Sequence, residues 1–294
     1  MSGLRLIIMG CAFALLSPAP VAAGATPEIL WRALEPGLSL ASVPVTVAHA
    51  LPEESPPGPA KLPSPAPVSV TTTVLRIDPA HFAFSLYMAS ERGPKTLAEI
   101  GKSENFAAAV NAGMYLPDGR TSTGYLHGTT HTNNARVAAN FGAFFVAEPL
   151  VKGLAPALLL DRQKDDWRAA LGRYGVVIQN YRMTTPEGRI LWKQEAAPHS
   201  VAALSQDPKG NILFLFCREP VFAGDFVAAL LRLPLGIRSV MYLEGGTDAA
   251  LLIRAGGIDS VQAGRHSSGL WSGDGNLALP NVLGIRRRTG DTGR

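Results

Sequence analysis

The sequence predicts an α+β fold: a single domain on a mixed, largely antiparallel β-sheet with a few short helices. Three observations predict it. Short runs rich in Val, Ile, Phe and Thr recur along the chain, bounded by Gly, Pro and Asp turns, which is the pattern of strands. Helical signals are confined to two short stretches, near residues 96–104 and 223–233. The 294 residues are 47% hydrophobic and 17% charged, enough apolar surface for a sizeable core and too little charge for a disordered chain.

Residues 1–23 read as a cleavable export signal. Arg5 gives a positive start, Leu6 to Leu16 an apolar run, and Val21 and Ala23 the small residues before a cut at Gly24. The run is shorter than the roughly 20 apolar residues a bilayer-spanning helix needs. No later stretch is long and apolar enough to span a bilayer, so a periplasmic or secreted location without stable membrane insertion is expected. Residues 24–30 are expected as a linker, 31–288 as the domain and 289–294 as a tail.

Trp31 to Val47 alternates weakly around Pro36-Gly37 and reads as an entry strand with a turn. Seven prolines between Pro52 and Pro67 forbid helix and central strand, so 52–67 is expected as an exposed loop within the domain. Val68–Ile77 and Phe82–Leu86 read as strands joined by a turn at Asp78-Pro79. Thr96-Leu97-Ala98-Glu99 has capping-box form and opens a short helix to about Glu104. Ala107–Val110 is a small apolar strand running into Asn111. Phe141–Ala147, Tyr174–Gln179, Val201–Ser205 and Ile212–Cys217 follow as strands, the last two joined by Asp207-Pro208-Lys209-Gly210. Phe226, Ala229, Leu230 and Leu233 have helical spacing, and Pro234 stops that helix. Ser239–Leu243 is a buried strand leading into Glu244-Gly245-Gly246, and Val282–Ile285 is the last strand.

The formal charge is +4, or +3 (26 basic against 23 acidic residues) once Arg5 leaves with the signal, too mild to imply nucleic acid. Arg286-Arg287-Arg288 reads as a solvated tail. Loss of Cys11 leaves Cys217 alone in an apolar run, so a buried inert thiol is expected, with no disulfide and no cysteine-ligated zinc.

Two places combine a strand end with glycines and polar side chains, as ligand sites on rigid scaffolds do. One is Asn111-Ala112-Gly113-Met114-Tyr115, followed by Gly124-Tyr125-Leu126-His127-Gly128. The other is Glu244-Gly245-Gly246-Thr247-Asp248. Paired glycines let a ligand approach the backbone and offer amides to an anion. Two carboxyl groups bracketing a turn are the usual equipment of glycoside cleavage. His127 and His131 lie four apart, a metal spacing only on a helix, and the Gly and Thr around them argue for a loop.

The order of these motifs resembles the phosphodiester glycosidase family, over about Trp31 to Ile285. Asn111-Ala112-Gly113-Met114-Tyr115 stands where that family has an Asn-Gly-Gly-Phe-Phe-like motif. Gln179-Asn180-Tyr181-Arg182 stands for its Gln-Ser-Gly-Pro-like segment, and His199 for an Arg at the start of a strand. Glu244-Gly245-Gly246-Thr247-Asp248 matches an Asp-Gly-Gly-Gly-Ser-like motif, and Pro280-Asn281 a late Pro-Asn. Glu244 keeps a carboxyl one methylene further out, Asp248 adds a second acid, and His199 replaces a permanent cation with one that ordinarily titrates near pH 6.5.

The resemblance implies a hydrolase acting on a sugar-1-phosphodiester or related bond in envelope or extracellular polysaccharide. Glu244, Asp248 and His199 are then the expected catalytic residues. Asn111, Gly113, His127, Gln179, Gly245, Gly246 and Thr247 are the expected substrate-binding residues. No metal ligand set is assigned. Two alternatives stay open: a non-catalytic polysaccharide-binding protein of the same fold, and a divalent-metal hydrolase in which Glu244, Asp248 and a histidine converge.

Overall fold

The computed structural model describes residues 28–48, 67–192, 197–237, 239–265 and 277–289. The expected signal, most of the expected linker, the proline-rich stretch apart from Pro67, and most of the expected tail lie outside them. Among the described residues no helix is long and apolar enough to cross a membrane.

Local patterning places the first hairpins as expected. Gly37, at φ +77°, turns the Arg32–Glu35 strand into Leu38–Ala48. Ala41, Val43, Val45 and Val47 are buried while Ser42, Pro44 and Thr46 face out, the period of two that fixes strand register. Leu38–Ala48 then pairs along its whole length with Pro67–Ile77. Pro67, expected at the end of the loop, opens this strand instead, the one strand position where a missing amide costs least. The capping box at Thr96 forms with both arms in place.

Among the described residues every strand pairing is antiparallel, but the strands form three larger sheets, not one mixed sheet. A six-stranded sheet runs in the order Arg32–Glu35, Leu38–Ala48, Pro67–Ile77, Ile212–Val221, His199–Gln206, Val240–Gly245. A five-stranded sheet contains Ala143–Pro149 and Tyr174–Asn180 at its centre. A second five-stranded sheet contains Ala250–Ile253, Ala108–Asn111 and Asn281–Arg287 at its centre, with Phe82–Met88 on an edge. The expected antiparallel pairing and few short helices hold, while the class is largely β and not clearly α+β.

The inner faces of the three sheets meet in one core. Phe84, Phe145 and Phe214, one from each sheet, form its centre, with Phe84 edge-on to the other two rings at 5.2 and 6.5 Å. Each outer face is covered by one helix. Ala223–Leu231 lays Phe226, Val227 and Leu230 over the six-stranded sheet. Leu97–Ser103 covers the sheet holding Asn111. In Trp167–Leu171, Trp167 stacks on Phe144 at 5.0 Å.

Cys217 is buried in this frame, as expected, and burial pushes its thiol up to about 12, which disfavours the thiolate. The arginine triplet is corrected. Arg286 and Arg287 belong to the last strand, and all three arginines make ion pairs: Arg286 with Glu104, Arg287 with Glu35 at 2.7 Å and Arg288 with Glu148 at 2.9 Å. They tie the end of the chain's last strand to the cap of the Leu97–Ser103 helix and to the Arg32–Glu35 and Ala143–Pro149 strands.

Candidate active site

The site begins at the C-terminal end of the Val240–Gly245 strand, on the edge of the six-stranded sheet. The chain leaves this edge through a one-turn 3-10 helix at Gly246–Asp248, which returns Ala250 to the neighbouring sheet. Gly246 sits at φ +63°, which a side chain would resist. Two sheets therefore grip the turn from either side.

Three motifs that are far apart in sequence converge here. Asn111, only 3% exposed, accepts a hydrogen bond from the Ala250 amide at 3.2 Å, two residues past Asp248. Its Nδ2 is buried without a partner among the described residues. Gly113, at φ +107°, leaves room for Asn180; a Cβ there would lie 3.1 Å from Asn180 Nδ2. That nitrogen donates to the Leu243 carbonyl at 2.9 Å, next to Glu244. Asn180 is thus a site residue that motif order placed but residue chemistry did not single out.

The two acids of the turn have different surroundings. Burial pushes the Glu244 carboxyl up to about 8, against a smaller opposing effect from the Gly245 amide, which donates to Glu244 Oε1 at 3.1 Å; Asp248 adds to the rise. The Gly245 amide thus orients Glu244 and does not stand free for an anion. Asp248 Oδ2 accepts a hydrogen bond from the Tyr115 hydroxyl at 2.8 Å. Burial and this bond together raise the Tyr115 phenol above its ordinary range, so it stays a donor. Tyr115, 133 residues from Asp248, gives no local signal of this role.

His199 stands on the other side of the turn. Its Nε2 lies 3.4 Å from the Tyr242 hydroxyl. A Cβ on Gly245 would come within 2.3 Å of both His199 Cδ2 and the Tyr242 oxygen, so only glycine fits between them. Gly264 closes the back of the turn: its amide donates to the Ala249 carbonyl at 2.7 Å, and a Cβ there would lie 2.0 Å from the Gly246 oxygen.

Two expected site residues are occupied elsewhere. Gln179 is buried; its Oε1 accepts from the Tyr125 and Ala138 amides, and its Nε2 donates to the Ala138 and Phe141 carbonyls. Its hydrogen-bonding capacity goes into the backbone, three bonds to the 138–141 loop and one to Tyr125. His127 bonds Thr132 at 2.7 Å, and burial lowers its pKa. Among the described residues no hydrogen bond joins His127 to Glu244 or Asp248, and no group of three or more His, Cys, Asp or Glu gathers as a metal site. Glu244, Asp248, His199, Gly245, Gly246, Thr247, Asn111 and Gly113 are grouped around the turn.

The chain matches the phosphodiester glycosidase family over residues 104–286. No curated protein matches it in sequence. A hypothetical protein from Synechocystis superposes with a TM-score of 0.60 at 13% identity, over 90% of this chain and 64% of its own length. The present chain thus spans under two thirds of that protein. The zebrafish N-acetylglucosamine-1-phosphodiester alpha-N-acetylglucosaminidase catalytic domain, described as auto-inhibited by its pro-peptide, superposes with a TM-score of 0.57 at 12% identity, over 90% of this chain and 89% of its own. At such identities the likeness to these two structures is one of fold, and membership rests on the sequence match: the chain belongs to the phosphodiester glycosidase family.

Proposed function

We propose that the chain is a hydrolase that cleaves a sugar-1-phosphodiester, or a related glycosidic bond, in envelope or extracellular polysaccharide, exported by the signal at residues 1–23. The observation that carries this reading is the pair of unlike acids on one glycine turn, with Glu244 pushed up to about 8 and Asp248 held by Tyr115. Acids held in unlike surroundings are how a glycosidase separates its proton donor from its second carboxylate.

At neutral pH Glu244 carries a proton, with Oε1 fixed by the Gly245 amide. A neutral carboxyl here donates to a phosphate oxygen where an ionised one would repel it. As the bond from the sugar's anomeric carbon to the phosphate oxygen breaks, that proton meets the charge building on the departing phosphate. Asp248 stabilises the positive sugar ring or takes the proton of the incoming water. Water adds to the anomeric carbon, and free sugar and a phosphomonoester leave. His199, beside Gly245, and the Gly246–Thr247 backbone are assigned to the phosphate, and Asn111 fixes the position of Ala250 and with it the turn.

The purified chain from residue 24 is incubated with sugar-1-phosphodiesters and aryl glycosides. Free sugar is the expected product. Saturable binding without release is the result of the alternative, a non-catalytic polysaccharide-binding protein. Tyr115→Phe keeps the ring and removes the hydrogen bond to Asp248, one that a charged acceptor makes worth about 1.5–3 kcal/mol. Steady-state kinetics should show kcat reduced roughly ten- to hundred-fold with KM little changed, since the loss falls on the acid and not on binding.

A further inference from the structure

Gln179 and Arg162 hold the 138–141 loop by its carbonyls, and that loop roofs a cavity of about 520 Å³. Arg162, Arg168 and Arg182 line the cavity together with Trp167, and no acidic residue lines it. The buried Asp161 nearby is engaged by Arg182. Arg162 and Arg168 both stand over the Trp167 ring, at 5.4 and 4.3 Å. Trp167 is itself buried. The Arg168 guanidinium is exposed and has no hydrogen bond or ion pair among the described residues. Its Cζ stands 4.3 Å from the centre of the indole, and none of its N–H donors is taken up among the described residues.

Aromatic rings connect this cavity to the glycine turn. Phe141, in the cavity wall, meets Tyr181 at 4.5 Å, and Tyr181 meets Trp192 at 5.7 Å. Trp192 meets Tyr242 at 4.8 Å, and Tyr242 meets His199 beside Gly245. Asn140 donates to the Tyr181 hydroxyl at 3.1 Å, a further link between the cavity wall and the ring series.

We propose that this arginine-lined cavity is a second, anion-binding subsite, taking a phosphate or carboxylate group on the glycan chain attached to the bond that the Glu244–Asp248 turn cleaves. The assignment rests on the proposed function for the turn. The cavity itself is testable without turnover. A planar guanidinium on an aromatic face suits a planar or tetrahedral oxyanion, binding it through paired N–H donors. Phe141 and Tyr242 are buried and Tyr181 and Trp192 are packed against the core, so the ring series joins the cavity wall to the turn through the interior and the glycan would cross over it. The substrate class is therefore a multiply anionic oligosaccharide, not an isolated sugar phosphodiester.

Trp167 provides the readout. Oligogalacturonate, which carries carboxylates, and tripolyphosphate, which carries phosphates, are titrated into the purified chain while tryptophan fluorescence is followed, with Trp167→Phe identifying the signal. Saturable quenching by either probe, weakened roughly ten-fold or more by Arg168→Glu and by Arg168→Gln, is expected. Lys152→Glu makes the same charge change on an exposed turn away from the cavity and should leave the affinity unchanged. The probe that binds identifies the anion. Failure of both probes to quench at millimolar concentration overturns the subsite, as does binding that survives Arg168→Glu or is lost equally in Lys152→Glu. Glu244→Gln abolishes release but not this binding, so a failed subsite and a failed hydrolase reading are told apart.

Discussion

Glu244→Gln should abolish sugar release and, above neutral pH, make the protein more stable than the wild type. The two effects have one source. The side chain keeps its shape, so the Gly245 amide still finds an oxygen to donate to, and the strand end at Leu243 keeps its bond from Asn180. What is lost is a titrating proton in a desolvated place. In the unfolded chain this carboxyl ionises near 4.5, and in the native protein near 8. Between those values the native state holds a proton that the unfolded state has released. Its contribution is most favourable below about 4.5 and is lost as pH rises through about 8. The wild type should therefore lose up to roughly 1.4 kcal/mol of stability per pH unit across that interval from this group. Glutamine, which does not titrate, should flatten the slope. Urea denaturation of both proteins at a series of pH values reads the difference directly, and parallel stability curves would remove burial as the cause of the shift.

Gly264→Ala should be nearly as damaging to turnover, for a steric reason. The added carbon would lie 2.0 Å from the Gly246 oxygen and 3.0 Å from the Ala249 oxygen, both backbone atoms, and 2.8 Å from Ser200 Cβ. Flexible side-chain ends can swing away; a 3-10 turn held between two sheets cannot without moving Asp248. Displacing a reacting group by about an ångström costs on the order of a hundred-fold in rate, and such overpacking costs about 1–3 kcal/mol in stability. A comparable substitution, Gly172→Ala, meets nothing within 4 Å and should change neither. Steady-state kinetics and thermal melts of the two variants side by side separate a site effect from a general loss of fold.

Much of the strand inventory was legible because it is local. A run such as Ile212-Leu213-Phe214-Leu215 between turn residues has few other places to go, and the Thr96–Glu99 box is complete in four residues. Sheet membership was not legible. Phe84, Phe145 and Phe214 look alike in sequence, yet each belongs to a different sheet, and only long-range pairing decides this. The same reason hid the ion pairs of Arg286, Arg287 and Arg288, whose partners lie 140 to 252 residues away.

The candidate site divides along the same line. Glu244, Gly245 and Asp248 were readable because strand, glycines and acids are contiguous. Tyr115 was not, since the hydroxyl that holds Asp248 comes from the far end of the Asn111 motif. Gln179 drew attention as a polar residue at a strand end, but its four backbone bonds show a structural use that only the folded loop reveals. Gly264 carried no signal at all, because its value lies in what stands 2.0 Å away.

The central claim is that a protonated Glu244 does the chemistry, and the pH dependence of kcat/KM for sugar release from a sugar-1-phosphodiester tests it most directly. This ratio reports the ionisations of the free protein, and the diester itself does not titrate near neutrality. The account predicts a rate that falls as pH rises through about 8, where Glu244 gives up its proton. A rate that stays level or climbs through that value would contradict it.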